Sequence, residues 1–251
     1  MPGDERPPRA IAHVTSADEE ALRLLERGDL ELLGLLPRSS NYTFLAKATD
    51  GAADVLAVYK PRRGEAPLWD FTPGTLCQRE VAAFVVADAL GWPTVPPTVL
   101  RDGPEGPGSV QRFVEFDPRQ HFFTMQDERP DDFRRVALFD AVVNNADRKS
   151  GHCLLSTQGL PFCIDHGVCF HEEPKLRTVI WEFAGDAVPP DLLEDLRRFE
   201  ERLSAPALRS ALGDLLTQLE IAAMQARLAE VIAAGRFPEP GDDRPYPWPP
   251  V

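Results

Sequence analysis

Basic residues are scarce in this chain: Lys and Arg total 27 against 40 Asp and Glu, a net charge of −13. Affinity for a nucleic-acid backbone comes from clustered cations that displace counterions, so this balance argues against a nucleic-acid partner. An anionic membrane surface would repel the chain in the same way. Cysteine is scarce too. Cys77, Cys153, Cys163 and Cys169 are too few and too unevenly placed for a secreted disulfide framework in 251 residues. Uncharged apolar runs of the ~18 to 20 residues needed for a membrane span are missing, so no stable membrane association is expected. Met1 to Arg9 is polar and Pro-rich with no apolar segment, which predicts no signal peptide. These absences describe a soluble cytoplasmic protein with reduced thiols. What the chain does have is 43% hydrophobic residues, enough to exclude wholesale disorder. Its length suits one large domain or two lobes of about 100 to 150 residues.

Hydrophobic periodicity and turn chemistry divide the chain. Ser16 with Glu19 three residues on is a capping box for a short first helix that stops at Gly28. Leu30–Leu33, Tyr42–Ala48 and Val55–Lys60 read as strands, the last two joined by the turn signal Thr49–Ala52. A helix follows over Leu76–Leu90, ended by Gly91 with Pro93 beyond. Thr94–Leu100 and Ser109–Phe116 return as strands around a Gly/Pro-rich turn, and Pro96 and Pro97 make the first of them an edge strand or a late starter. From Asp131 the pattern is helical, interrupted by short strands near 152–156 and 162–165, and it resumes over 190–204 and 206–234. Phe237–Val251 is too proline-dense for helix or central strand and reads as a tail over the surface, with Trp248 as its anchor. The fold class is therefore α+β: a strand-rich N-terminal lobe over 1–112, a helical C-terminal lobe over 113–236, a tail over 237–251, and a cleft between the lobes.

Three segments carry chemistry: Val58-Tyr-Lys-Pro61, Asn144-Asn-Ala-Asp-Arg-Lys-Ser-Gly-His152, and Cys163-Ile-Asp-His-Gly167. Each alone is equally a turn or a solvated strand end, since turns favour Asp and Gly. Together they supply a lysine on a strand, an acid on the next helix (Glu80), an Asp followed by Lys, and a second Asp on a strand beyond. Phosphoryl transfer from Mg-ATP demands that set: cations on the phosphates, an acceptor for the substrate hydroxyl proton, and hard oxygen ligands for the metal.

With Leu68-Trp-Asp-Phe71, Arg79-Glu80, Trp92–Thr98, Ile164–Phe170 and Lys175–Trp181 added, the sequence resembles the phosphatidylinositol 3-/4-kinase-like branch of the protein-kinase-like fold. The resemblance is to its actinobacterial kinase-like members and covers most of the chain. It implies a two-lobed kinase fold, ATP as substrate, Mg²⁺ or Mn²⁺ as cofactor, and a protein hydroxyl or soluble small molecule as acceptor. It implies that Lys60 holds the α- and β-phosphates, with Glu80 as its ion-pair partner. Asp147 resembles the catalytic-loop acid, Lys149 is placed to meet the transferring phosphoryl group, and Asp165 resembles the metal-binding Asp of the Asp-Phe-Gly element, here Asp-His-Gly. Ser39, Ser40 and Asn41 fall at the family's phosphate loop, and Gln111 to Val114, Gln111 and Phe113 included, at the hinge that offers backbone groups to adenine. His152 stands where protein kinases place a metal-binding Asn, which predicts an altered metal preference.

Rival readings stay open at this point. The phosphate loop has no glycines and His152 replaces the metal-binding Asn, which suits a nucleotide-binding pseudokinase, and a nucleotidyl-transferring relative is a further variant. His152, His166 and His171, with Asp147, Asp165, Cys153, Cys163 and Cys169, also form a metal-friendly stretch, so a His/Asp metalloenzyme is a third reading, although no His-Glu-x-x-His or paired Cys-x-x-Cys spacing accompanies it. Lys175 and Arg177 read as an anion site or a solvated basic pair, and Trp69, Trp92 and Trp181 as packing residues.

Overall fold

The computed structural model describes residues 16–37, 41–241 and 244–251. Helix α1 (Ser16–Arg27) is followed by strands β1 (Asp29–Leu35), β2 (Phe44–Thr49) and β3 (Asp54–Pro61), helix α2 (Leu76–Leu90), and strands β4 (Thr98–Gly103) and β5 (Gly106–Arg112). The five strands form one antiparallel sheet in the order β1-β2-β3-β5-β4, which puts β3 at its centre. Alternation along β3 turns Ala57 and Tyr59 into a small core with Leu25, Ala46, Ala48, Val99 and Val110, while Leu56, Val58 and Lys60 face the other way. Late-starting β4 is an edge strand, as Pro96 and Pro97 require.

Two glycines fix how closely this sheet is built. A Cβ on Gly28 would lie 2.7 Å from the Leu24 carbonyl oxygen and 2.9 Å from the Thr49 nitrogen, so only glycine lets α1 turn into β1 against β2. A Cβ on Gly108 would lie 2.4 Å from the Lys60 carbonyl oxygen and 2.7 Å from Pro61 Cα, at the register point where β5 passes the Lys60 end of β3. Gly108→Ala is therefore expected to destabilise the protein by about 1–3 kcal/mol, as overpacking does. A lowered urea midpoint would register it, and an unchanged midpoint would show that β3 yields at no cost.

The second half holds a short helix α3 (Phe122–Met125), α4 (Pro130–Val143), a hairpin of β6 (Cys153–Leu155) and β7 (Pro161–Cys163), then α5 (Pro190–Arg202), α6 (Pro206–Gly213) and α7 (Gln218–Ala234). Phe133, Phe139, Val142, Leu196, Phe199, Met224 and Leu228 join α4, α5 and α7 in the main core, to which α2 adds Ala82, Ala83 and Val86. Helix α2 is apolar on most sides because it is buried between the sheet and this core. Arg79 of α2 forms a buried ion pair with Glu220 of α7 and donates to the Cys169 carbonyl at 2.6 Å, which fixes the helix against the second lobe.

Three expectations are corrected. The helix expected over 206–234 is two helices, because Thr217 accepts from the Glu220 amide at 3.2 Å and the Glu220 carboxylate returns to the Thr217 amide at 2.8 Å, a capping box that starts α7 afresh. The strand expected to run to Phe116 ends at Arg112. Trp248 is 76% exposed and anchors nothing, whereas Pro247 is buried. Among the described residues no helix is long and apolar enough to cross a membrane.

Candidate active site

Three elements converge on the Lys60 ammonium. Glu80, one turn into α2, forms an ion pair with Nζ through Oε1, and Asp165 Oδ1 lies 2.8 Å from the same Nζ across 105 positions of sequence. The second oxygen of Glu80 accepts the His166 backbone N–H at 3.0 Å, so one carboxylate fixes both the lysine and the loop bearing Asp165. Asp165 itself has φ 66°, a left-handed conformation that Asp tolerates better than most residues and that turns the chain straight after β7. Burial pushes the Lys60 pKa down, but the Asp165 and Glu80 charges outweigh it and leave the ammonium above its ordinary value. The Lys60 charge in turn holds Asp165 well below the carboxylate range, against a smaller opposing effect of desolvation. The pair is ionised at neutral pH.

The loop after α4 supplies the second half. Asn144 caps the helix in the left-handed conformation, φ 55°. Its side-chain amide donates to the His171 and Glu173 carbonyls at 2.9 and 2.7 Å and accepts the Lys175 N–H at 2.8 Å. Asn145 Oδ1 accepts the Asp147 N–H at 3.0 Å, which sets the backbone bearing Asp147. The Asp147 carboxylate stays 36% exposed, with Lys149 Nζ 3.2 Å from Oδ2. Partial burial raises its pKa, and Lys149 opposes the rise. His152, on a 3-10 turn over Ser150–His152, points Nε2 at Asp165 Oδ2 from 3.3 Å, while its Nδ1 takes a long 3.4 Å bond from the Lys149 amide. Burial lowers the His152 pKa to about 4, so the ring is neutral at pH 7.

Behind these groups lies a network that the sequence motifs did not single out. Arg148 is fully buried and grips fully buried Asp140 of α4 by two 2.8 Å bonds. It also donates to the Ile164 carbonyl at 2.9 Å and meets His166 Nε2 at 2.8 Å. Asp140 further accepts from Asn145 Nδ2 at 2.9 Å. The loop carrying Asp147 and the loop carrying Asp165 thus hang from one guanidinium. The available signal was Asp140, a carboxylate inside an otherwise apolar helical pattern.

Other sequence candidates fall elsewhere. Ser39 and Ser40 lie outside the described residues. Asn41 accepts the Ala66 N–H at 2.7 Å and so ties down the chain after β3. The Gln111 side chain is buried and donates to Thr98 Oγ1 at 2.8 Å, and the Phe113 amide donates to the Leu56 carbonyl at 2.8 Å. The Gln111 side chain and the Phe113 amide are therefore engaged within the sheet lobe. Lys175 pairs with Asp70 at 3.1 Å and is largely buried, so it is not a solvated cation. Trp69, expected to pack, is 92% exposed with Lys175 Nζ 5.2 Å from its ring centroid, while Trp92 is buried with its indole N–H on Asp195. A cavity of about 580 Å³ between α5, α6 and α7 shares no lining residue with this site.

Among the described residues no three His, Cys, Asp and Glu side chains gather as a preformed metal cage. Asp165 and His152 nevertheless offer a carboxylate oxygen and a neutral imidazole nitrogen 3.3 Å apart. That donor set fits a divalent cation that arrives on substrate phosphates and takes its remaining ligands from them and from water. Binding at His152 Nε2 requires the ring proton to move to Nδ1, which gives up the long bond from Lys149 and the Nε2–H that faces Asp165.

No protein-family model matches the chain. It is 38% identical over 274 aligned residues to Protein Rv2133c of Mycobacterium tuberculosis (strain ATCC 25618 / H37Rv), covering 95% of this chain and 98% of the relative. At that identity over nearly the whole of both chains, the chain belongs to the family of that protein. Among solved structures it is similar to the Helicobacter pylori proinflammatory kinase CtkA, with a TM-score of 0.54 and 12% identity over 84% of this chain and 95% of that one. It is also similar to the Golgi casein kinase with Mn/ADP bound, with a TM-score of 0.56 and 16% identity over 89% and 77%. The fold is thus the two-lobed, α+β protein-kinase-like fold, with α1 to β5 as the sheet lobe and α3 to α7 as the helical lobe.

Proposed function

We propose that this member of the Rv2133c family is an ATP- and divalent-metal-dependent phosphotransferase, an atypical kinase of the phosphatidylinositol 3-/4-kinase-like branch. In this reading it acts on a protein hydroxyl or a soluble small molecule. The single observation that carries the reading is the convergence of Lys60, Glu80 and Asp165 from β3, α2 and the turn after β7. A salt-bridged lysine beside an exposed metal-type aspartate is what phosphate binding needs, and Lys149 pairs with Asp147 on the loop that Arg148 ties to the segment bearing Asp165. The Golgi casein kinase, a fold neighbour, was solved with Mn/ADP, which supports nucleotide and metal for a shared scaffold.

In the proposed reaction Lys60 holds the α- and β-phosphates, released in part from Asp165 as the nucleotide enters. Asp147 takes the proton of the acceptor hydroxyl, whose oxygen bonds to the γ-phosphorus while the bond to the bridging oxygen breaks and its electron pair leaves on ADP. The raised pKa of Asp147 makes it a better proton acceptor than an ordinary aspartate. Lys149 lies where the transferring phosphoryl group gathers charge. A cation held by Asp165 with His152 would neutralise charge on the β- and γ-phosphates.

The test is incubation of the protein with labelled ATP and Mg²⁺ or Mn²⁺, then mass spectrometry of the protein and of a cytosolic extract. Phosphate on either supports the proposal. Transferred AMP would assign nucleotidyl transfer, and ATP-dependent thermal stabilisation with no transfer would assign a pseudokinase. Because one ligand is an imidazole, which a transition-metal ion accepts more readily than Mg²⁺ does, Mn²⁺ is expected to support turnover at least as well as Mg²⁺. Strict Mg²⁺ dependence with Mn²⁺ inert would contradict the ligand role of His152.

A further inference from the structure

Residues 244–251 lie against the loop that carries Asp147 and Lys149 and against the segment after Asp165. The Pro245 carbonyl accepts the Thr178 N–H at 3.0 Å and the Trp181 indole N–H at 3.1 Å, and the Pro250 carbonyl accepts the Ser150 N–H at 2.9 Å. Pro247 between them is buried, while Tyr246 and Trp248 are exposed. The docking is therefore made by backbone carbonyls and proline rings rather than by the aromatic side chains.

The two surfaces match chemically. Pro245, Pro247, Pro249 and Pro250 have no N–H, so this stretch presents mostly acceptors, and its fixed φ angles leave little entropy to lose on docking. The loops it meets present donors. Segment 177–179 is itself laced to the catalytic loop, since Arg148 N–H donates to the Arg177 carbonyl at 2.9 Å and Val179 N–H to the Arg148 carbonyl at 3.1 Å. Ser150 is held by the Pro250 carbonyl of the tail. Lys149, whose ammonium touches Asp147, lies between these two attachments.

We propose that residues 244–251 form a positioning clamp for phosphotransfer, fixing the catalytic loop at Ser150 and the segment after Asp165 at Thr178 and Trp181. The inference rests on the kinase reading given above. A blocking role does not fit the geometry, because Asp147 and Asp165 remain 36% and 50% exposed with the tail in place. The clamp acts through the loop and touches no reacting atom.

The test uses full-length Pro247→Asp, which buries a charge under the tail and dislodges it. Turnover is expected to fall about 10- to 100-fold, the range for sub-ångström to ångström misplacement of catalytic groups, with the KM for ATP within about twofold. Amide exchange at Ser150 and Thr178 should accelerate in the same variant. Trp181→Phe, which removes one of the three donors, should show a smaller loss of the same kind, and adding a synthetic peptide of residues 244–251 to Pro247→Asp should restore part of the turnover. Unchanged turnover despite faster exchange, a rise in turnover, or retained Ser150 protection would each overturn the clamp. If the parent protein transfers no phosphate, the kinase reading fails by itself, and the exchange measurement still reports whether the tail holds the loop.

Discussion

Asp147→Asn is expected to lower ATP-dependent phosphotransfer by about 10²- to 10⁴-fold, the usual contribution of a positioned general base, with ATP binding retained. The substitution keeps the shape and leaves the Asn145 bond to the residue 147 amide intact, because that bond is made by backbone. What is lost is the capacity to accept a proton, together with the charge that faces Lys149. The pH dependence separates this from a steric effect. Burial lifts the Asp147 pKa above the ordinary aspartate value of 3.8, so the parent should lose turnover as pH falls through that raised value, and the Asn variant should lack this limb. The stability sign is opposite. An acid whose folded pKa is raised destabilises the fold once it is ionised, so removing the charge should leave the melting temperature at pH 7 unchanged or slightly higher. Asp165→Ala is the companion: it too should abolish turnover, because Lys60 loses a partner and the cation its carboxylate. Full turnover in either variant would remove the assignment.

Lys60, Glu80 and Asp165 were legible because each sits on an element with a strong local signal. Lys60 ends an alternating strand, Glu80 lies on a helix closed by Gly91, and Asp165 follows a short apolar strand. Their convergence was not derivable from periodicity, since it depends on how α2 is wedged between the sheet and α5 and fastened by Arg79 to Glu220. The Arg148 network was hidden for a different reason. A buried guanidinium and a loop arginine look the same in sequence, and only the absence of solvent around Asp140 distinguishes them. The anchors of the tail were hidden because they are backbone carbonyls, which every residue has, and not the side chain of Trp248. The Gln111 side-chain amide and the Phe113 N–H meet Thr98 Oγ1 and the Leu56 carbonyl, partners that local sequence does not encode.

The largest effect on stability is expected at Arg148. Arg148→Met leaves Asp140 in a site from which solvent is excluded without its guanidinium partner, the other side-chain donor to it among the described residues being Asn145 Nδ2. Removing one partner of a buried pair destabilises by about 3–5 kcal/mol, because the remaining carboxylate must stay charged without compensation or take up a proton. For a chain of this size that corresponds to a fall in melting temperature of roughly 6–20 °C. The double variant Arg148→Met with Asp140→Leu should regain much of the loss, since two apolar groups of similar volume replace an ion pair whose desolvation offsets most of its attraction. Activity should not return with it. The leucine–methionine pair cannot donate to the Ile164 carbonyl or meet His166, so the turn that presents Asp165 is no longer tied to the loop that presents Asp147. Denaturant titration and turnover measured on the same three proteins separate the two roles. If Arg148→Met lies within about 1 kcal/mol of the parent, below the usual penalty for an orphaned buried charge, the buried pair does not hold the loops. If the stabilised double variant turns over like the parent, the guanidinium fills space without positioning either aspartate.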